Sequence, residues 1–89
     1  MARKVAVIVR DRQHEALRMS VGLTIGDNAV SVFVMDKELV FDENTKLNIE
    51  ALRDMGAKIF SNIPENGFAE MSIGEIARAL LEYDIVIPY

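Results

Sequence analysis

Apolar residues follow two rhythms along this chain. In KVAVIVR (Lys4–Arg10), AVSVFVMD (Ala29–Asp36), AKIF (Ala57–Phe60) and DIVIPY (Asp84–Tyr89) they stand at consecutive positions and favour β-branched types. A strand with one face in water alternates apolar and polar residues, so short continuous runs predict strands covered on both faces, as in parallel sheets. Between them the spacing is helical. The first such stretch, about Gln13 to Ile25, stops at GDN, where Gly26 suits a left-handed C-terminal turn. The second, NTKLNIEALRDMG, sets Leu47, Ala51, Leu52 and Met55 on one side and ends at Gly56; Asp42, Asn44 or Thr45 caps its start. The third opens on MSIGE, where Ser72 and Glu75 fit a capping box and Met71 and Ile76 are spaced as a hydrophobic staple. Its residues Ile73, Ile76, Ala77, Leu80 and Leu81 predict a broad inward stripe.

The order β-α-β-α-β-α-β, closed by right-handed crossovers, predicts one α/β domain over residues 1–89. Its expected form is a small flavodoxin-like three-layer α/β/α sandwich around a four-stranded, mainly parallel sheet. In a flavodoxin-like order, 2-1-3-4, the chain reverses direction between the first and third strands, and ligands bind outside the carboxyl ends of strands at such a point. The loops that would meet there are RDRQHEA (Arg10–Ala16) and SNIPENGFAEM (Ser61–Met71). The second is about ten residues long, whereas connections in compact domains usually run about 4 to 6.

Composition narrows the function classes. With 89 residues, 51% of them apolar, the chain builds one modest core. A net charge of −4 argues against nucleic acid, which needs a basic face. The only basic segment is the first eighteen residues, with Arg3, Lys4, Arg10, Arg12 and Arg18 against Asp11 and Glu15. No cysteine is present, which removes disulfides, thiolate nucleophiles and zinc ribbons. The run Val5–Val9 is too short for a signal peptide or a membrane span, so a cytoplasmic protein without membrane contact is expected.

Candidate chemistry gathers at the two loops. There is no GxxxxGK[ST] and no GxGxxG, so a nucleotide cradle of the usual kind is absent. Arg10 and Arg12 nevertheless flank a helix start whose free N–H groups favour anions. With His14, Ser61 and Asn62 they form the candidate ligand site for a small anion or metabolite, walled by Ile63, Pro64 and Phe68, with Gly67 as the turn residue. The competing account is solvated arginines paired with Asp11 and Glu15. His14 opens HEALR, which has Arg18 where HExxH needs its second histidine, so no metal is expected. A Ser61–His14 pair lacks the G-x-S-x-G elbow, and Glu65 and Glu70 are loop acids of unfixed separation. No catalytic residue and no cofactor is assigned.

The stretches KVAVIVRD, EALRMSVGLTIGDNAVSVFVMDKELV, LNIEALRDMGAKIFSN and LLEYDIVIPY, in that order, cover nearly the whole chain. Together they resemble the DsrE/DsrF-like sulfur-relay proteins. The resemblance implies a small cytoplasmic α/β protein that forms homo- or hetero-oligomers and, in active members, carries a persulfide on a cysteine in or just after the third strand. The corresponding residues here are Phe60, Ser61, Asn62 and Ile63. A serine hydroxyl neither ionises near neutral pH nor carries sulfane sulfur, so the carrier activity is not expected. The expected function is a non-catalytic DsrE/F-like domain: an oligomeric or partner-binding module, accessory to sulfur relay or redox chemistry. Its partner is its own copies or a cysteine-bearing DsrE/F-like protein. The alternative is a small-anion or metabolite-binding domain, or an enzyme, using the cleft at the carboxyl ends of strands one and three.

Self-association is also expected from the first helix. Ala16, Leu17, Val21 and Ile25 form its inward stripe, while Met19 and Leu23 lie off that stripe at 100° per residue. A helix apolar on nearly all sides wants a second covering surface. Met19 and Leu23, with Phe68 from the long loop, are therefore the expected interface.

Overall fold

A computed structural model describes residues 3–89. The elements follow in the order β1 (Lys4–Val9), α1 (Gln13–Ile25), β2 (Ala29–Val34), α2 (Glu43–Asp54), β3 (Lys58–Ser61), a 3₁₀ turn (Pro64–Asn66), β4 (Ala69–Glu70), α3 (Ile73–Leu80) and β5 (Ile85–Pro88). The four apolar runs are strands and the three periodic stretches are helices. A fifth strand, β4, lies inside the long loop, where two exposed residues pair with Phe60 and Ser61. So short an element leaves no hydrophobic pattern to read.

All strand pairs are parallel, and the sheet order is β4-β3-β2-β1-β5. This corrects the 2-1-3-4 order: β2 stands between β1 and β3, so these two strands share no cleft. The reason is the handedness of the crossovers. Val5, Val7, Val9, Val30, Val32 and Val34 pack with Ala16, Leu17, Ile49 and Leu52, which puts α1 and α2 on one face. Right-handed connections over the same face step the chain in one direction, from β1 to β2 to β3. Ala6, Ile8, Phe33 and Met35 pack with Ile76, which puts α3 on the other face. Only that third crossover reverses the direction and lays β5 beside β1. The topological switch point therefore lies between β1 and β5.

The helices carry most of the expected caps. Ser72 Oγ accepts the Glu75 N–H at 3.1 Å while the Glu75 carboxylate accepts the Ser72 N–H at 3.0 Å, completing the capping box. Asp42 is the residue that caps α2, accepting the Thr45 N–H at 2.9 Å. Gly26, by contrast, stays at negative φ; the next residue, Asp27, takes the left-handed turn at φ 64°. Asp tolerates this region because its short polar side chain bonds locally. The inward line of α2 is Thr45, Ile49 and Leu52, leaving Leu47 and Met55 exposed. In α3 only Ile76 is buried; Leu80 is half-buried, and Ile73, Ala77 and Leu81 face out. One eight-residue helix covers less of the sheet than the pair α1 and α2, so the broad stripe exceeds what it has to cover.

The outer edge of β5 is blunted. Tyr89 N–H donates to Ile8 O at 2.9 Å and Tyr89 O accepts from Arg10 N at 3.3 Å, so Tyr89 turns its backbone towards β1. Alternation along the strand gives Ile87 and Ile85 the same sense and turns Val86 and Pro88 outward. Pro88 has no N–H to offer there, which suits an edge strand that resists pairing with another chain. No helix among the described residues is long and apolar enough to cross a membrane.

Candidate functional site

Parallel strands deliver β1, β2 and β3 to a common edge, and the residues just beyond their carboxyl ends meet there. Asp36 follows β2 with φ 68°, which turns its carboxylate between its neighbours. Arg10 Nε lies 3.2 Å from Asp36 Oδ2, and Asn62 Nδ2 donates to Asp36 Oδ1 at 3.2 Å. Asn62 Oδ1 accepts the Asp36 N–H in return, at 2.9 Å. Beside this bridge Lys37 Nζ contacts Asp11 Oδ1. That contact, first as a hydrogen bond and then as a charge, holds the Asp11 carboxyl below the usual carboxylate range. The structure thus brings Arg10 and Asn62 together, and Asp36, unmarked in the sequence, joins them.

Ser61 has a different role. It is 1% exposed; its hydroxyl donates to Val34 O at 2.7 Å and accepts from Ile63 N and Asn66 Nδ2, each at 3.0 Å. Asn66, also buried, donates to Lys37 O at 3.2 Å and accepts from Leu39 N at 2.7 Å. The two side chains satisfy backbone groups that would otherwise be buried without partners. They fix the long loop against the segment after β2. The loop's length is thereby explained in part as a structural tie, with Gly67 at φ 74° closing the 3₁₀ turn.

At the start of α1 the side chains part company. His14 Nε2 lies 2.7 Å from Asp42 Oδ2, linking the first turn of α1 to the cap of α2. The Asp42 carboxyl is held low mainly by the Thr45 N–H and further by His14. Gln13 bridges Arg10 O, Glu38 O and Val40 N. Arg12 is left open: its side chain is 71% exposed and its nearest acid, Glu15, is 3.9 Å away. Among the described residues no side chain caps the N-terminus of α1. Two open depressions flank this loop. One, of about 300 Å³, is lined by residues from Asp11 to Glu15 and by Val40. The other, of about 450 Å³, lies at the β1/β5 switch point against Ile87, Pro88 and Tyr89.

The expected interface residues sit against the chain's own core. Met19 and Leu23 are half-buried there, and Tyr89 Oη donates to Met19 Sδ at 3.2 Å. Phe68 is likewise half-buried, with its ring 6.0 Å from that of Phe41 and 5.7 Å from the Arg53 guanidinium. The apolar side chains left open nearby are Val40, Phe41 and Leu47. Val40 and His14 line one depression, His14 and Leu47 another, and Phe41 lies beside Phe68. The sequence signals only part of this, since VF directly precedes the cap of α2, whereas the helical spacing sets Leu47 on the inward side and the structure leaves it open.

No known protein family, curated protein or solved structure matches this chain.

Proposed function

We propose that this chain is a non-catalytic binding module, DsrE/F-like in kind, that assembles with its own copies through the edge of the sheet where the long loop lies. The observation that carries this reading is that Val40, Phe41 and Leu47 are all exposed between the end of the β2–α2 connection and the first turns of α2, with the Phe41 ring beside the half-buried Phe68. Open apolar side chains rimmed by polar groups mark association surfaces on small domains. On the same side of the sheet three charged pairs are formed: Arg10 with Asp36, Lys37 with Asp11, His14 with Asp42. The all-parallel sheet with helices on both faces agrees with the resemblance of the sequence. At the position corresponding to the sulfur-carrying cysteine, Ser61 serves the backbone. Sulfur-relay or redox accessory work is the setting this resemblance implies, with a cysteine-bearing relative as the second class of partner. Light scattering after size-exclusion chromatography tests the assembly, and Leu47→Glu tests the surface.

A second reading has its own observation. The uncapped N-terminus of α1 and the open side chain of Arg12 meet at the β1/β5 switch point, where free N–H groups and one cation favour a small anion. Inorganic phosphate titrated against the protein and Arg12→Ala tests it: stabilisation of the parent and none of the variant supports the reading, and equal responses refute it.

A further inference from the structure

At the opposite, amino-terminal edge of the sheet, three neighbouring strands present polar side chains on the α3 face. Lys4 precedes Ala6 on β1, Ser31 precedes Phe33 on β2, and Lys58 precedes Phe60 on β3. The register places Ser31 between Ala6 and Lys58. Small residues, Ala29 below and Ala79 of α3 above, leave a depression of about 270 Å³ over Ser31. Phe60 forms one wall, its ring stacked on Phe33 at 5.3 Å. Tyr83 lies at the rim under the Lys4 ammonium, 5.3 Å from the ring centroid.

Ser31 is the unusual member of this set. It is 6% exposed, lines the depression, and its hydroxyl makes no hydrogen bond to any described residue. Among the described residues the fully buried side-chain oxygen without a partner is Thr45 Oγ1; the Ser31 hydroxyl instead opens into the depression, where it is free to bond a ligand or water. The charged groups around it are Lys4 and Lys58, with Glu82 on the rim and Asp84 engaged by the Lys4 backbone N–H at 2.8 Å.

We propose that this depression is a binding site for a small monocarboxylate carried on a flat apolar body. The carboxylate takes the Ser31 hydroxyl and the two ammonium groups, and the body lies against Phe60 and Ala79. Glu82 and the negative end of the α3 dipole oppose every anion here and a doubly charged one about twice as strongly, so the two ammonium groups suffice for a carboxylate before they suffice for phosphate. The site is separate from the carboxyl-end surface, so its failure leaves the assembly reading untouched.

Benzoate is the probe, with benzamide as its neutral counterpart and inorganic phosphate as the anion without a body, each followed by amide and side-chain NMR shifts of the full chain. Benzoate should perturb Lys4, Ser31, Lys58, Phe60 and Tyr83 and bind at least about tenfold more tightly than benzamide, since charge-assisted bonds are the strong ones. Lys58→Gln should weaken benzoate by about tenfold on the same grounds. Ser31→Val should abolish binding by filling the cavity; if it does not fold, Lys4→Gln replaces it and should weaken benzoate as Lys58→Gln does. Equal binding of benzamide, phosphate binding as tight as benzoate, or no perturbation at millimolar benzoate overturns the proposal. So do benzoate shifts confined to the carboxyl end of the sheet.

Discussion

Asn66 donates its side-chain amide to the hydroxyl of Ser61 at 3.0 Å, and both residues are buried. The contact joins the middle of the long loop to the end of β3. Its other bonds, to Lys37 O and Leu39 N, extend the tie to the segment after β2. Removing Asn66 therefore takes a partner from two backbone groups and one hydroxyl at once. Asn66→Ala should cost about 1–3 kcal/mol, the desolvation range for buried groups left unpaired. Urea unfolding should show a lower midpoint with an unchanged slope; an unchanged midpoint would show that water replaces the amide freely.

The same burial bears on sulfur chemistry. Ser61→Cys places a thiol within the stretch Phe60, Ser61, Asn62 and Ile63 where the resemblance implies a cysteine, but at a site 1% exposed in the parent. Buried thiols without a neighbouring cation are poor nucleophiles. Neither the parent chain nor Ser61→Cys should gain a sulfur atom by intact mass after incubation with a persulfide donor. An adduct on the variant would mean that the long loop opens readily.

Acid sensitivity follows from Asp42. Its carboxyl ionises below its ordinary value because the Thr45 N–H and His14 favour the charged form. A folded-state pKa below the unfolded one contributes stability that is fully present above the unfolded value, near 3.8, and is lost as pH falls through the folded value. Asp11 and Glu75 are shifted in the same direction, the contribution of Glu75 beginning to fall from its higher ordinary value near 4.5. Asp42→Asn, which keeps a capping side chain, should flatten the acid limb of the stability curve below about pH 4. An acid limb identical to the parent's would place the sensitivity elsewhere.

The helices separate core from surface in a way that charge substitution can read. Leu23 packs on the chain's own core, so Leu23→Glu should destabilise by about 1–3 kcal/mol, the ordinary range for a core-contact substitution. Leu81 is 84% exposed, and Leu81→Glu should stay within about 0.5 kcal/mol of the parent. Thermal melts of the two variants check both. Equal losses would mean that α3 lies against a covering surface in solution.

The fold was legible because continuous β-branched runs and 3.6-residue spacing mark strands and helices strongly. Strand order was not, since it depends on which face each crossover takes, and α1 and α2 are each apolar enough for either face. The absorption of Met19 followed from the same gap: Tyr89 reaches it only because β5 lies next to β1. At the carboxyl edge, Arg10 and Asn62, each following a strand, meet at Asp36. Asp36 escaped notice because its role rests on a left-handed backbone turn that an aspartate adopts without a local sequence mark. Ser61 was read by its place in the chain, but its burial is set by Asn66 five residues on, across a turn whose path the sequence leaves open.

The assembly proposal meets its most direct test in light scattering after size-exclusion chromatography at tens of micromolar protein, on the parent and on Leu47→Glu. The account predicts a mass of two or more chains for the parent and of one folded chain for the variant. A single-chain mass for the parent, or an assembly unaffected by Leu47→Glu, would contradict it.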